Sequence, residues 1–290
     1  MKMNKYTIGA LVAAVFIVGG FVIYQQLSSN KINPLSSSAN YATMNWYHTR
    51  VPFSKTITNI ADPIYTNSIK SAVKGWSERA SNNNSDSDME KTAAFSGKVI
   101  GTGSSTSVLC PMEYGLLKFC SVTDYIPGAG VLSIFTFNYN NNNNIYQAAA
   151  IFNDGTLIND PTFATTEYRN AVACWLLVNV LKATFTDPID PPPIDSCMQG
   201  LTNPETIAKQ QSPHQRDINR LYNLYMTTIN TTPDSAEPPA PSNYSSNDLG
   251  EKIATSADGL QETYELDLGN GHKKRSVILY AQPVGAKSNR

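Results

Sequence analysis

Histidine is scarce in this chain. Only His48, His214 and His272 occur in 290 residues, and no two of them stand four apart. A zinc site built on one helix needs such a pair on one face, and the sequence does not supply it. Each histidine also has an ordinary reading: His48 lies in a strand beside Trp46 and Tyr47, His214 opens a helix, and His272 follows a hairpin turn. An excess of one charge is missing too. Lys and Arg number 22 against 23 Asp and Glu, a net charge of −1, with no basic patch or acidic tail. Nucleic acid is therefore not an expected partner. There is no G-x-S-x-G elbow, phosphate loop or dinucleotide fingerprint. The segment "GTGSSTS" at 101–107 lacks the lysine of a phosphate loop and reads as a surface turn.

Cysteine is limited to four residues, none in C-x-x-C spacing, which argues against a zinc or redox motif. Cys110 and Cys120 bracket one short segment, and Cys174 and Cys197 bracket another. Two local bridges, Cys110–Cys120 and Cys174–Cys197, are the simplest of the three possible pairings and fit an oxidising compartment.

The N-terminus agrees with such a compartment. Lys2 and Lys5 precede an apolar run from Tyr6 to Tyr24. A span of roughly 20 apolar residues crosses a bilayer, and the lysines favour a cytoplasmic N-terminus. "YQQLSSN" follows without a clear cleavage site, so the run reads as an uncleaved signal anchor with the rest of the chain outside the cytoplasm. The other reading, cleavage late in "SSSANYA", gives a secreted protein.

Hydrophobic residues make up 41% of the chain, enough for a substantial core. After a cytoplasmic tip and anchor at 1–26 and a Ser/Asn-rich stalk at 27–42, the pattern becomes that of a folded domain over 43–230. "MNWYHTRVPFSKTI", "AAFSGKVIGT", "GVLSIFTFNY" and "IYQAAAIFND" have strand composition, the last two separated by a run of asparagines. Ile64, Ile69, Val73 and Trp76 recur at helical spacing and predict a helix that covers one face. "YRNAVACWLLVNVLKATF", Tyr168 to Phe185, predicts a buried helix. "SPHQRDINRLYNLYMTTI" predicts another, with Ser212 as N-cap, Pro213 in the first turn, and Leu221, Leu224 and Tyr225 on its apolar face. A Pro/Ser-rich linker at 231–249 leads to a C-terminal segment at 250–290, read as a hairpin around Gly269-Asn270-Gly271 that packs on the domain. The expected class is α+β, with helices on one twisted mixed sheet.

Several ordered features carry a resemblance. "AVKGW" ends the first helix, "CPMEYGLLKFC" precedes strand-rich sequence, and "IFND" leads to the helix with "RNAVAC". "SCM", "SPHQRDINRLYNLY" and "LDLGNGHKKRSVILYA" follow. In this order the chain resembles the matrixin-like zinc metalloproteases of the metzincin group, over residues 44–281. The resemblance implies a metzincin-like sheet with an N-terminal helix, an active-site helix and a C-terminal helix. It also places the family motif H-E-x-x-H-x-x-G-x-x-H on the buried helix, just after Cys174. There the first histidine slot holds Trp175, the general-base slot Leu176, the second histidine slot Asn179, the glycine slot Lys182 and the third histidine slot Phe185. No slot keeps a zinc ligand of the expected type. Glu167 and Asp187 flank the helix but fall outside its former catalytic face. Met198 fits the slot of the turn methionine beneath the zinc, and reads here as core filler.

The expectation is a degenerate member of that family: catalytically inactive, holding no zinc, and binding a peptide, cell-surface protein or surface polymer. Its remnant cleft would be lined by Trp175, Asn179, Lys182 and Met198. Two other readings stand beside it. One is an active metallopeptidase that recruits His214 or His48 to zinc; the other is a structural cell-surface subunit. "DGTLIND" at 154–160 offers two carboxylates, a weak indication of calcium. Sequons at Asn83, Asn230 and Asn243 matter only in a glycosylating host.

Overall fold

The computed structural model describes residues 44–46, 53–77, 95–101, 110–123, 130–181, 196–197, 207–227, 248–256 and 259–281, all within one compact unit, residues 37–290. The apolar run at 6–24, the stalk, His48, the three sequons, and the segments that hold Lys182, Phe185 and Met198 lie outside the described residues. Among the described residues no helix is long and apolar enough to cross a membrane.

Among the described residues nine strands form one mixed sheet. They are β1 (Asn45–Trp46), β2 (Phe53–Asn59), β3 (Phe95–Ile100), β4 (Leu117–Val122), β5 (Val131–Tyr139), β6 (Asn144–Asn153), β7 (Glu251–Thr255), β8 (Gln261–Gly269) and β9 (His272–Tyr280). Eight lie in the order β3-β2-β4-β6-β5-β9-β8-β7, and β1 pairs with the start of β6. The pairings β3–β2, β2–β4, β4–β6 and β1–β6 are parallel, whereas every pairing from β6–β5 onward is antiparallel. The helices are α1 (Thr66–Ser77), the single turn α2 (Asp154–Leu157), α3 (Thr166–Val180) and α4 (Gln215–Thr227).

Burial explains the strand sequences. Every residue of β4 and β5 is buried, as is nearly all of β6. Strands sealed on both faces read as continuous apolar runs rather than alternating ones. The face with Phe119, Phe135, Phe137, Phe152, Val277 and Leu279 joins the residues of α1 and α3 in the main core. The reverse face buries a smaller cluster that contains Cys110, Cys120, Val122, Ile134, Ile151 and Ile278. Both disulfides form as read from the sequence, Cys110–Cys120 with Cα atoms 5.9 Å apart and Cys174–Cys197 with Cα atoms 6.0 Å apart.

Helix α1 is amphipathic and buries Ser68, Ile69, Ala72, Val73 and Trp76. Ile64 does not belong to that face. It sits in a 3-10 turn, Pro63–Tyr65, capped by Asp62, and is 43% exposed, while its neighbour Tyr65 is buried. The proline at the turn's start ends the spacing that linked Ile64 to the helix. Gly97 in β3 lets α1 approach, because a Cβ there would lie 2.7 Å from Val73 Cγ1.

Helix α4 begins at Gln215, two residues beyond the expected first turn, and Ser212 is exposed rather than a cap. Its apolar stripe is present in Leu221 and Tyr225, both fully buried. Strand β4 is the element missing from the sequence reading. Its run "LKFCSV" carries Lys118 as its second residue, yet Lys118 is buried and pairs with Glu113 of the preceding loop. The stem of a lysine packs as hydrocarbon when its head finds a carboxylate. The C-terminal segment also contains one more strand, β7, than a simple hairpin.

Candidate functional site

Helix α3, on which the resemblance would place the catalytic slots, is built to be buried. Thr165 caps α3 by accepting the Tyr168 amide at 3.2 Å, and the helix is apolar nearly all round. The last carbonyls of a helix lack intrahelical partners and need donors when buried. Here Trp46 Nε1 donates to the Val180 carbonyl at 2.8 Å and the Tyr225 hydroxyl donates to the Leu181 carbonyl. On its flank, Trp76 Nε1 donates to the Cys174 carbonyl at 3.2 Å, and the Ser68 hydroxyl donates to Asn170 Oδ1 at 2.7 Å. Thus β1, α1 and α4 each anchor α3 by a side chain, in addition to the Cys174–Cys197 bridge.

The slot residues follow from that setting. Trp175 is 3% exposed and meets the Phe135 ring edge-on, with centroids 5.5 Å apart. Leu176 is fully buried. Asn179 is 5% exposed, and its Nδ2 donates to the Trp175 carbonyl one turn earlier at 2.7 Å. Its amide is thereby committed to its own helix. Trp175 and Asn179, expected to line a cleft, are both core residues. Burial of the large apolar side chains at such positions contributes roughly 1.5–3 kcal/mol each.

Beside the helix, Cys197 stands next to Ser196, whose hydroxyl donates to the buried Asp217 of α4 at 2.5 Å. His214 precedes α4, and its exposed Nδ1 accepts the Arg216 amide at 3.2 Å, a helix-start role. His272 lies in β9 with its ring edge on Tyr146, centroids 5.5 Å apart. These two histidines are not brought together with α3. Glu167 sits in the exposed first turn of α3. The carboxylates of "DGTLIND" serve separate purposes: Asp154 is buried against Tyr65, and Asp160 Oδ1 accepts the Thr162 amide at 2.9 Å. Among the described residues no three or more His, Cys, Asp or Glu side chains gather so as to hold a metal ion.

Two polar groupings escaped the sequence reading. One joins Tyr139, Glu265, Lys273 and Arg275. The Tyr139 hydroxyl donates to Glu265 Oε2 at 2.7 Å, Lys273 Nζ meets Oε1 at 2.7 Å, and Arg275 holds Oε2 from the opposite strand. Burial pushes the Glu265 carboxyl up, but the Lys273, Arg275 and Tyr139 hydrogen bonds outweigh it and bring it down to about 2. The signal was present in the sequence: counting outward from Asn270 pairs Glu265 with Arg275 and Asp267 with Lys273, as the register has them. The second grouping, around Asp154, left no local signal, because its partners lie 89 residues away at Tyr65 and in β4 at Ser121.

In comparisons with family models, curated proteins and solved structures, the chain matches none.

Proposed function

We propose that this chain is a membrane-anchored extracytoplasmic domain on the plan of a metzincin zinc protease, with the catalytic helix filled in, and that it acts by binding a peptide or cell-surface partner. One observation carries this reading: at the slots where that family holds zinc, Trp175 and Leu176 are packed into the core and Asn179 is bonded to its own helix. A hydrolase of this type needs a metal-activated water, and residues so committed offer neither ligand nor base. The order of elements supports the same plan. A helix follows the first long strand, a mixed sheet follows, and a buried helix comes after the strand that ends at Asn153, past the single turn α2, and is tied by disulfide to Cys197. Two bridges in the chain suit an oxidising compartment outside the cytoplasm.

The experiment is metal analysis of the purified full chain in mild detergent, paired with a chelator-controlled assay on casein. The expected result is less than stoichiometric zinc and no cleavage, with or without added zinc. Tightly held stoichiometric zinc, or cleavage abolished by chelator, sinks the reading and restores the metallopeptidase.

A further inference from the structure

The carboxyl ends of the parallel strands β2, β4 and β6 meet at a buried polar knot that the protease plan leaves unused. Asp154 follows β6 directly and is 3% exposed. Its Oδ1 accepts the Tyr65 hydroxyl at 2.9 Å, whereas its Oδ2 has no hydrogen-bond partner. Tyr65 is fixed in turn. It is fully buried and stacked on Phe152, with centroids 4.2 Å apart and planes within 6°. Ser121, at the end of β4, lies beside Asp154, and its Oγ accepts the Asp62 amide at 2.8 Å.

An ionised Asp154 in this place would carry a charge in apolar surroundings with one oxygen bare. Burial of an uncompensated charge is costly, and such groups shed the charge instead. The charged groups that face the knot do not offset that cost. Asp62, from the connection before α1, repels a second carboxylate. Arg169, from α3, directs Nη1 to the Leu157 carbonyl at 3.2 Å and Nη2 to Thr166 Oγ1 at 3.3 Å. Burial raises the Asp154 carboxyl above its ordinary range; the Tyr65 hydrogen bond and the nearby Ser121 hydroxyl oppose the rise, and Asp62 adds to it.

We propose that Asp154 is a proton-operated clasp: carrying its proton, it stays buried between the β2–α1 and β6–α3 connections with Tyr65 donating to it, and on losing the proton its buried charge loosens the start of α3, more than the strengthened Tyr65 bond restores. The sign follows from linkage. A carboxyl that holds its proton more tightly folded than unfolded gives full stability below the unfolded value of 3.8, and that stability is lost as pH rises through the folded value.

The test is carboxyl carbon NMR on the full chain in detergent, together with amide exchange across residues 154–170, for wild type and Asp154→Asn. The Asp154 resonance, assigned by its loss in the variant, is expected to titrate above the ordinary aspartate range. Protection factors at the start of α3 are expected to fall about tenfold per pH unit between the unfolded and folded values, since each unit of proton linkage is tenfold in an equilibrium. The variant should show no such fall. Titration of Asp154 at an ordinary value, or the same pH slope in the variant, overturns the proposal. If Asp154→Asn does not fold, Tyr65→Phe serves instead. It removes the donor to Oδ1 and should move the Asp154 midpoint upward, and an unmoved midpoint counts equally against the clasp.

Discussion

The two halves of the sheet are held by different physics. In the first half, β4, β6 and β5 are buried on both faces and join α1 and α3 in the main core, while β2 and β3 at the edge are partly exposed. In the C-terminal half, β9 is buried from Lys274 to Leu279, β8 is mostly part-exposed and β7 mostly exposed, and the three are stitched by carboxylate–cation pairs. Sealed strands can be fully apolar because no water reaches them, while a half-open sheet must keep a polar face. Helix α3 belongs to the first regime. A position inside such a core accepts volume and rejects charge, which suits Trp175 and Leu176.

The sharpest way to break this comparison is to put a carboxylate into the buried face of α3. Leu176→Glu places a carboxylate at a fully buried position with no described cation beside it, and is expected to cost about 3–5 kcal/mol, read as a lower urea midpoint. A variant as stable as wild type would mean that the position opens to water, contrary to the filled core. Next in size is the bridge on the same helix. It closes a sequence separation of 23 residues, so replacing Cys174 and Cys197 together by alanine should cost about 2–4 kcal/mol. The Cys110–Cys120 pair closes only 10, and its removal should cost less by the same measurement.

The contrast between the halves also governs what the sequence disclosed. The hairpin register was legible, since Asn270 adopts φ 53° between two glycines of positive φ and the charges pair symmetrically about it. The buried helix was legible from its uninterrupted apolar run, and both bridges from spacing. Strand β4 was not, because Lys118 near its start imitates a surface residue until Glu113 is seen beside it. Ile64 misled for the opposite reason: its period matched the helix, but Pro63 starts a separate turn there. At the candidate site, residue identity was enough to show missing ligands. The commitment of Trp175 and Asp154 to partners far along the chain needed the tertiary fold, whereas Asn179 is bonded within its own helix.

A smaller effect tests the stitched half. Arg275→Met removes two hydrogen bonds from Glu265, together with the guanidinium contacts to the Met44 sulfur and the Tyr139 hydroxyl, and should cost about 1.5–3 kcal/mol. Its pH signature is distinctive. Glu265 is held low at about 2 against an ordinary 4.5, so its contribution is complete above 4.5 and is lost as pH falls toward 2. Urea midpoints measured across that range should fall less steeply in the variant than in wild type. Equal slopes would assign the acid sensitivity to other carboxylates.

The smallest effect belongs to the edge. Lys252 in β7 pairs with Glu262 across to β8, but its side chain is 45% exposed, and Glu262 also accepts the Tyr264 hydroxyl at 2.7 Å and the Tyr280 hydroxyl at 3.0 Å. Loss of Lys252 therefore leaves the carboxylate with two donors, and an exposed pair of this kind contributes about 0–1 kcal/mol. Lys252→Ala should shift the urea midpoint only slightly, and the difference should vanish in high salt, where exposed charges are screened. The same lysine stands beside Ile253, which is 45% exposed on an edge strand. Edge strands are kept from pairing with other chains largely by such charges. Light scattering of Lys252→Ala should therefore report more association than its small stability change explains; unchanged scattering would show that the edge is guarded by other means.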